Sequence, residues 1–109
     1  MGARNPYSIA WDKKTGHLFY GDVGPDANLT NDVKGSRGYD EINRVTHAGN
    51  FGWPLVIGQN QPYKYYDYVN QQSCDWVDPQ APKNRSPLNT GLVDLPPAQP
   101  AWIAYPYAV

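Results

Sequence analysis

The sequence predicts an all-β, loop-rich fold, and three observations carry that expectation. Glycine and proline supply 21 of the 109 residues, against roughly 13 from average usage. Such a composition interrupts helices and feeds turns. Aromatic residues make up 14%, with nine tyrosines and four tryptophans, and these side chains suit the pleated, half-buried surface of a strand. Apolar positions nowhere recur at a 3.6-residue period over the length of a helix, whereas several short β-rich runs are bounded by turn residues. Helix is therefore expected in under about a tenth of the chain, against a globular norm near a third.

The first elements form a hairpin. YSIAW (7–11) and HLFYG (17–21) flank DKKTG (12–16). Asp12 is placed to accept bonds from groups two and three residues on, and Gly16 takes the left-handed position that closes the loop. A long polar loop follows over 23–38, then YDEINRV (39–45) reads as a strand. THAGN turns the chain, and FGWPLVIG holds a short strand after Pro54. From Gln59 to Pro97 no sustained period is present. A structureless stretch of that length is unusual in a compact domain, so packing on something larger is expected to order it. PAWIAYPY (100–107) reads as a last strand.

Size and charge bound the function. A chain of 109 residues is one domain at most and supports a modest core. A net charge of −1 with no basic run gives no electrostatic footprint for nucleic acid or an anionic membrane. No apolar run approaches the roughly 18 residues that a membrane helix needs. MGARNPYSIAW lacks the apolar core of a signal peptide. Cys74 is the single cysteine, so an intramolecular disulfide is excluded. The aromatic content fits either the filling of β cores or the stacking of sugar rings.

Several motifs concentrate in the first 45 residues. DANLTNDVKGSR (26–37) sets oxygen side chains at Asp26, Asn28, Thr30 and Asp32. An EF-hand loop then needs glycine at its sixth position and glutamate at its twelfth. Asn31 and Arg37 stand there, so the EF-hand is rejected. A different cation loop and an Asx-rich surface loop both remain as readings. In GDVGPD (21–26), Gly24 allows close backbone approach and Pro25 donates nothing, which suits the presentation of carbonyl oxygens to calcium or, equally, a turn. Arg4 and Asn5 offer a guanidinium fork and an amide to a carboxylate or quinone oxygen. The alternative is an Arg4 paired with Asp22 or Asp26. Asp40 and Glu41 fall on opposite faces of their strand, and the inward one needs a partner. His17 and His47 sit in or beside turns and read as surface residues.

Taken in order, G-x-RNP (2–6), AWDKKTGHLFYGDVGPD (10–26), GYDEINRV (38–45) and GNFGWP (49–54) resemble the glucose/sorbosone dehydrogenase family, the soluble quinoprotein sugar dehydrogenases. NTGLVDLPPAQPAWIAYPY (89–107) is similar to a branch found in large secreted bacterial proteins. The resemblance implies a six-bladed β-propeller holding pyrroloquinoline quinone (PQQ) and calcium on one face. A four-stranded blade takes roughly 40–50 residues and closure needs at least four blades. Residues 1–109 are thus expected to form a partial propeller domain, a fragment of about two blades.

The resemblance further implies that Arg4 and Asn5 contact the quinone, that the carbonyls of Gly24 and Pro25 hold the calcium, and that Asp40 stands beside it. The family's general base is a histidine from an earlier blade. None of the residues here matches it, so no catalytic residue is assigned and the chain alone is expected not to oxidise sugars. Asp26 to Tyr39 is longer than the link in the simplest family members, and this insertion is expected either to cover the cofactor face or to bind a cation of its own. The implied function is part of a PQQ- and calcium-dependent aldose dehydrogenase acting at the anomeric carbon. The alternative is a non-catalytic carbohydrate-binding or structural propeller segment of a large secreted protein. The implied partners are a sugar substrate and the rest of the parent propeller, in a periplasmic or secreted setting.

Overall fold

A computed structural model describes residues 1–108, and among them it contains strands and no helix. Strands β1 (Pro6–Asp12), β2 (His17–Asp22), β3 (Tyr39–Val45) and β8 (Ile103–Pro106) form one antiparallel sheet in the order β1-β2-β3-β8. Two smaller antiparallel sheets pair β4 (Val56–Ile57) with β5 (Gln61–Pro62), and β6 (Lys64–Asp67) with β7 (Gln72–Trp76). The all-β class follows the sequence expectation.

The first hairpin forms as its turn chemistry dictates. Lys14 N–H donates to Asp12 Oδ1 at 3.0 Å, the Thr15 hydroxyl donates to Asp12 Oδ2, and Gly16 N–H donates to the Asp12 carbonyl at 2.8 Å. Gly16 takes φ +73°, where a β-carbon would be strained. Register runs from Asp12↔His17 to Pro6↔Asp22, with a bulge between Pro6 and Ser8. The proline thus lies on an edge strand, where its missing N–H leaves no ladder bond unmade. β3 continues the meander with Leu18↔Val45 and Asp22↔Glu41.

The sheet turns one face inward. Tyr20 is buried and meets Phe51 edge to face at 5.7 Å. A second cluster of Val56, Tyr65, Val77 and Ala98, with Leu55 against it, lies under the β6–β7 hairpin. The stretch from Val77 onward is irregular yet closes on the chain's own segments. Ala98 N–H donates to the Pro79 carbonyl, Gln99 N–H to Asn50 and Ala101 N–H to Gly58, at 2.7–2.9 Å. Backbone bonds to Asn50 and Gly58, far away in the chain, therefore help to order this stretch.

The segment 26–38 leaves and rejoins the sheet through a narrow neck. A β-carbon on Gly24 would stand 1.8 Å from the Tyr39 carbonyl oxygen, and one on Gly38 would stand 1.9 Å from that of Pro25. Two glycines let the crossing backbones touch, and Gly38 N–H bonds the Ala27 carbonyl at 2.8 Å. Beyond the neck the chain folds into a tight turn. Asn31 Oδ1 accepts from Val33 and Lys34 N–H, and Asn31 and Gly35 exchange backbone bonds at 2.9 Å. That turn docks on the second hairpin: Lys64 N–H donates to the Lys34 carbonyl at 2.9 Å, and the Ser73 hydroxyl donates to that of Val33.

Candidate functional site

The loops at one end of β2 and β3 bring the motif residues together. Asp22, the last residue of β2, is 6% exposed and holds the 4–5 segment by its backbone. Arg4 N–H donates to Asp22 Oδ2 at 2.9 Å and Asn5 N–H to Oδ1 at 2.6 Å. Val23 N–H returns a bond to the Asn5 carbonyl at 3.1 Å. Asp22 therefore meets Arg4 through the main chain. The guanidinium donates instead to the Val23 carbonyl at 2.9 Å and lies 5.5 Å from the centre of the Trp53 ring. The amide of Asn5 enters none of the hydrogen bonds among the described residues, and both Arg4 and Asn5 are exposed.

On the neighbouring strand, Asp40 Oδ1 accepts from Gly24 N–H at 2.9 Å. This bond fixes a half-buried carboxylate against the Gly24–Pro25 backbone. The Gly24 carbonyl and Asp40 Oδ2 carry no hydrogen bond among the described residues, which leaves two hard oxygens free, while the Pro25 carbonyl accepts from Ala27 N–H at 2.8 Å and keeps its second lone pair. Oxygen donors of this kind suit calcium. Among the described residues no cluster of three His, Cys, Asp or Glu side chains is placed to hold a metal. A calcium here would need backbone carbonyls and ligands from outside this set.

Behind these residues lies a buried polar layer. Glu41 is 7% exposed and accepts from Asn43 Nδ2 at 2.9 Å and from Gly58 N–H. This is the inward acid of the YDEIN pair, with the partners its burial requires. Burial pushes its carboxyl above the ordinary range, the two hydrogen bonds pull the other way, and the charge of Asp22 adds to the push. Burial also pushes the Tyr63 hydroxyl up to about 12, with the charge of Glu41 adding to it. The Tyr20 and Tyr63 hydroxyls and Asn43 Oδ1 are buried with no partner among the described residues. A cavity with about 10 Å³ of room for a water centre adjoins Arg4, Asp22, Gly24, Glu41 and Trp53, enough for about one water molecule.

Sequence reasoning placed Arg4, Asn5, Gly24, Pro25 and Asp40 in one region, and the structure brings them to one end of the strands. It offered Asp22 only as a side-chain partner for Arg4, whereas the structure makes it the backbone anchor of both Arg4 and Asn5. The signal available was an acid closing a strand directly before a Gly-Pro loop. His17 and His47 lie at the opposite end. His17 pairs with Asp12 at the hairpin turn, and His47 follows Val45, the partner of Leu18. The six residues of β2 separate that end from Asp22, a span of about 17 Å. His47 Nε2 stands 3.1 Å from Gln99 Nε2 and its Nδ1 3.0 Å from the Thr46 hydroxyl. Of the oxygens singled out in the 26–37 loop, Thr30 Oγ1 serves the turn, accepting from Arg37 N–H at 3.0 Å, and the neighbouring Asn31 caps as described.

The profile of the family described as Glucose / Sorbosone dehydrogenase matches residues 1–91. The chain belongs to that family. It is 33% identical over 70 residues to quinoprotein glucose dehydrogenase B of Acinetobacter calcoaceticus, an alignment covering 62% of this chain and 12% of that protein. The chain thus spans a small part of the length of its relative. No solved structure matches it.

Proposed function

We propose that residues 1–109 form part of a propeller domain that binds PQQ and calcium and, in its parent protein, oxidises an aldose at the anomeric carbon. The observation that carries this reading is the juxtaposition of the Asp40 carboxylate with the Gly24 N–H at 2.9 Å, beside the exposed Arg4 and Asn5 side chains. In this reading Arg4 and Asn5 bind quinone oxygens, the Gly24 and Pro25 carbonyls ligate calcium, and Asp40 faces the metal directly or through a water. When bound, the quinone supplies a hydride acceptor and the calcium a Lewis acid that polarises it. Arg4, held by Val23 and Trp53, sets a fixed positive charge beside the acceptor. Asp22 fixes the backbone that presents Arg4 and Asn5. Carbonyls with a single carboxylate make a weak calcium site, which suits compartments rich in that ion and supports a periplasmic or secreted parent in this reading. The rest of the propeller and a sugar are its partners.

Neither histidine is in place as a base at this corner, because both occupy the far end of the strands. A base must lie within about 3 Å of the proton it takes or reach it through one water. A non-catalytic carbohydrate-binding or structural segment is the second reading, favoured by that same separation. The test titrates the chain with calcium in the presence of the quinone, following quinone absorbance. Calcium-dependent binding is expected, weakened at least tenfold by Asp40→Asn and unchanged by Asp12→Asn in the hairpin turn. Binding indifferent to Asp40→Asn would remove the calcium assignment. With an aldose and a dye acceptor added, no sustained dye reduction is expected. Turnover lost on replacing His17 or His47 would overturn the missing-base argument.

A further inference from the structure

Two motifs that lie far apart in the sequence, G-x-RNP (2–6) and GNFGWP (49–54), form one structural unit. Phe51 N–H donates to the Met1 carbonyl at 2.9 Å and Trp53 N–H to the Gly2 carbonyl at 3.0 Å. The two segments lie so close that a β-carbon on Gly2, whose φ is +86°, would stand 2.5 Å from Gly52 N and 2.8 Å from Phe51 N. Glycine is required where these backbones meet. The 50–56 side is held as firmly. Gly52 takes φ +104°, its N–H donates to Asn50 Oδ1 at 3.0 Å, and its carbonyl accepts from Leu55 and Val56 N–H at 2.8 and 3.0 Å. This bracing fixes the place of one indole. Trp53 stands beside Arg4, and Tyr63 meets its ring edge to face at 6.0 Å and 88°.

Two carboxylates share the corner with Arg4, yet neither takes its guanidinium. Asp22 accepts from the main-chain N–H groups of Arg4 and Asn5, and Asp40 from Gly24 N–H. Arg4 makes no ion pair among the described residues. Its guanidinium carbon lies instead over the Trp53 ring, 5.5 Å from the centre and within cation–π reach, while Nη1 donates to the Val23 carbonyl at 2.9 Å. A guanidinium carries five N–H donors, and the bond to Val23 is the one its side chain makes among the described residues. An arginine loose in solvent loses rotamer freedom when a ligand orders it, which weakens binding. A ring and a carbonyl that hold the group beforehand remove part of that loss and leave its other donors free. Arginine suits the role better than lysine, since a planar guanidinium can lie on a ring and keep its edge donors.

We propose that Trp53 is a positioning residue for quinone binding: the GNFGWP segment presents the indole as a platform that orients Arg4 toward the quinone oxygens. The proposal rests on the quinone reading above and deepens it, giving a role at the site to a motif that the reading left unused. Trp53 acts through Arg4, so its effect disappears when the guanidinium is absent.

The test uses the 109-residue chain labelled with 5-fluorotryptophan, read first without quinone by fluorine NMR. The Trp53 signal is the one lost in Trp53→Phe. Arg4→Met, a change at an exposed side chain, should shift that signal and leave those of Trp11, Trp76 and Trp102 in place. Quinone affinity is then measured by absorbance in excess calcium. Trp53→Leu should weaken it about two- to fivefold, the scale of a cation–π contact at an exposed site, and Trp53→Phe, which keeps a ring, should weaken it less. In an Arg4→Met background, Trp53→Leu should change affinity less than about 1.5-fold, because the shared partner is gone. Trp11→Leu on the edge strand should also leave affinity unchanged. Should Trp53→Leu disturb the fold, Trp53→Phe and the Arg4→Met shift decide the matter. A Trp53 signal unmoved by Arg4→Met, quinone affinity unchanged by Trp53→Leu, or an equal loss in both Arg4 backgrounds would each overturn the proposal and leave the quinone reading intact. Failure of the unsubstituted chain to bind quinone would overturn that reading and this proposal together.

Discussion

The end of the sheet that carries Arg4 and the strap over residues 77–101 are held by opposite means. At the sheet end, buried carboxylates organise the backbone across strands: Asp22 fixes residues 17 and 18 positions earlier in the chain, and Glu41 reaches Gly58. In the strap, side chains bond their own neighbours. Asp78 Oδ1 accepts from Gln80 N–H, Asn84 Oδ1 from Ser86 N–H and Asn89 Oδ1 from Gly91 N–H. The first kind of order is long-range and intolerant of change. The second is local at these exposed turns, while the backbone of the same strap also bonds Asn50 and Gly58. Shape at the sheet end thus rests on buried carboxylates, whereas the strap combines local turns with backbone bonds to Asn50 and Gly58 and the burial of Val77 and Ala98.

The largest expected effect breaks that comparison at a glycine. Gly24→Ala drives a β-carbon to 1.8 Å from the Tyr39 carbonyl oxygen, a backbone atom that cannot swing away. A loss of about 3 kcal/mol or more is expected from urea unfolding. Gly91→Ala in the strap meets nothing closer than 3.6 Å and should stay within about 0.5 kcal/mol.

Next comes Asp22→Ala. It strips two part-buried N–H groups of a charged acceptor, and bonds to charged groups contribute about 1.5–3 kcal/mol each. A loss of about 3 kcal/mol is expected, with the 4–5 segment showing faster amide hydrogen exchange. Equal exchange in mutant and parent would mean that another group anchors this segment.

Glu41 sharpens the comparison through pH. Its folded-state carboxyl titrates above its unfolded value. The folded form therefore holds the proton more tightly, and stability present below the unfolded value is lost as pH rises through the folded one. Glu41→Gln should flatten the fall in thermal midpoint over that window. The smallest effect belongs to the exposed Arg85–Asp75 pair. Removing Asp75 should leave the midpoint almost unmoved and make what change there is vanish in high salt.

Most of the sheet was legible because its signals are local. Asp12 and Gly16 write the first turn, and YDEINRV alternates inward acid and outward neighbour as β3 does. The corner was legible through the ordered motifs and their family resemblance, since nothing in 2–6 alone points to 22–25 or 40. The β6–β7 hairpin was not legible. All five residues of β7 are exposed, so no alternation marks it. Its turn uses Gln71 at φ 52° where a glycine would have announced a hairpin. The docking of the 31–35 turn was equally hidden, because its bonds to Lys64 and Ser73 are long-range and Gly35 at its centre reads in the sequence only as a turn residue.

The neck at Gly24 and Gly38 has an evolutionary consequence. Because the two backbones touch there, whatever lies beyond begins and ends at nearly the same point. Doubling such a loop adds only about 0.6 kcal/mol of closure entropy. Lineages can then lengthen the segment between the neck and its docking contacts at Lys64 and Ser73 while the framework beneath stays in register, so that novelty accumulates on the periphery of an inherited scaffold.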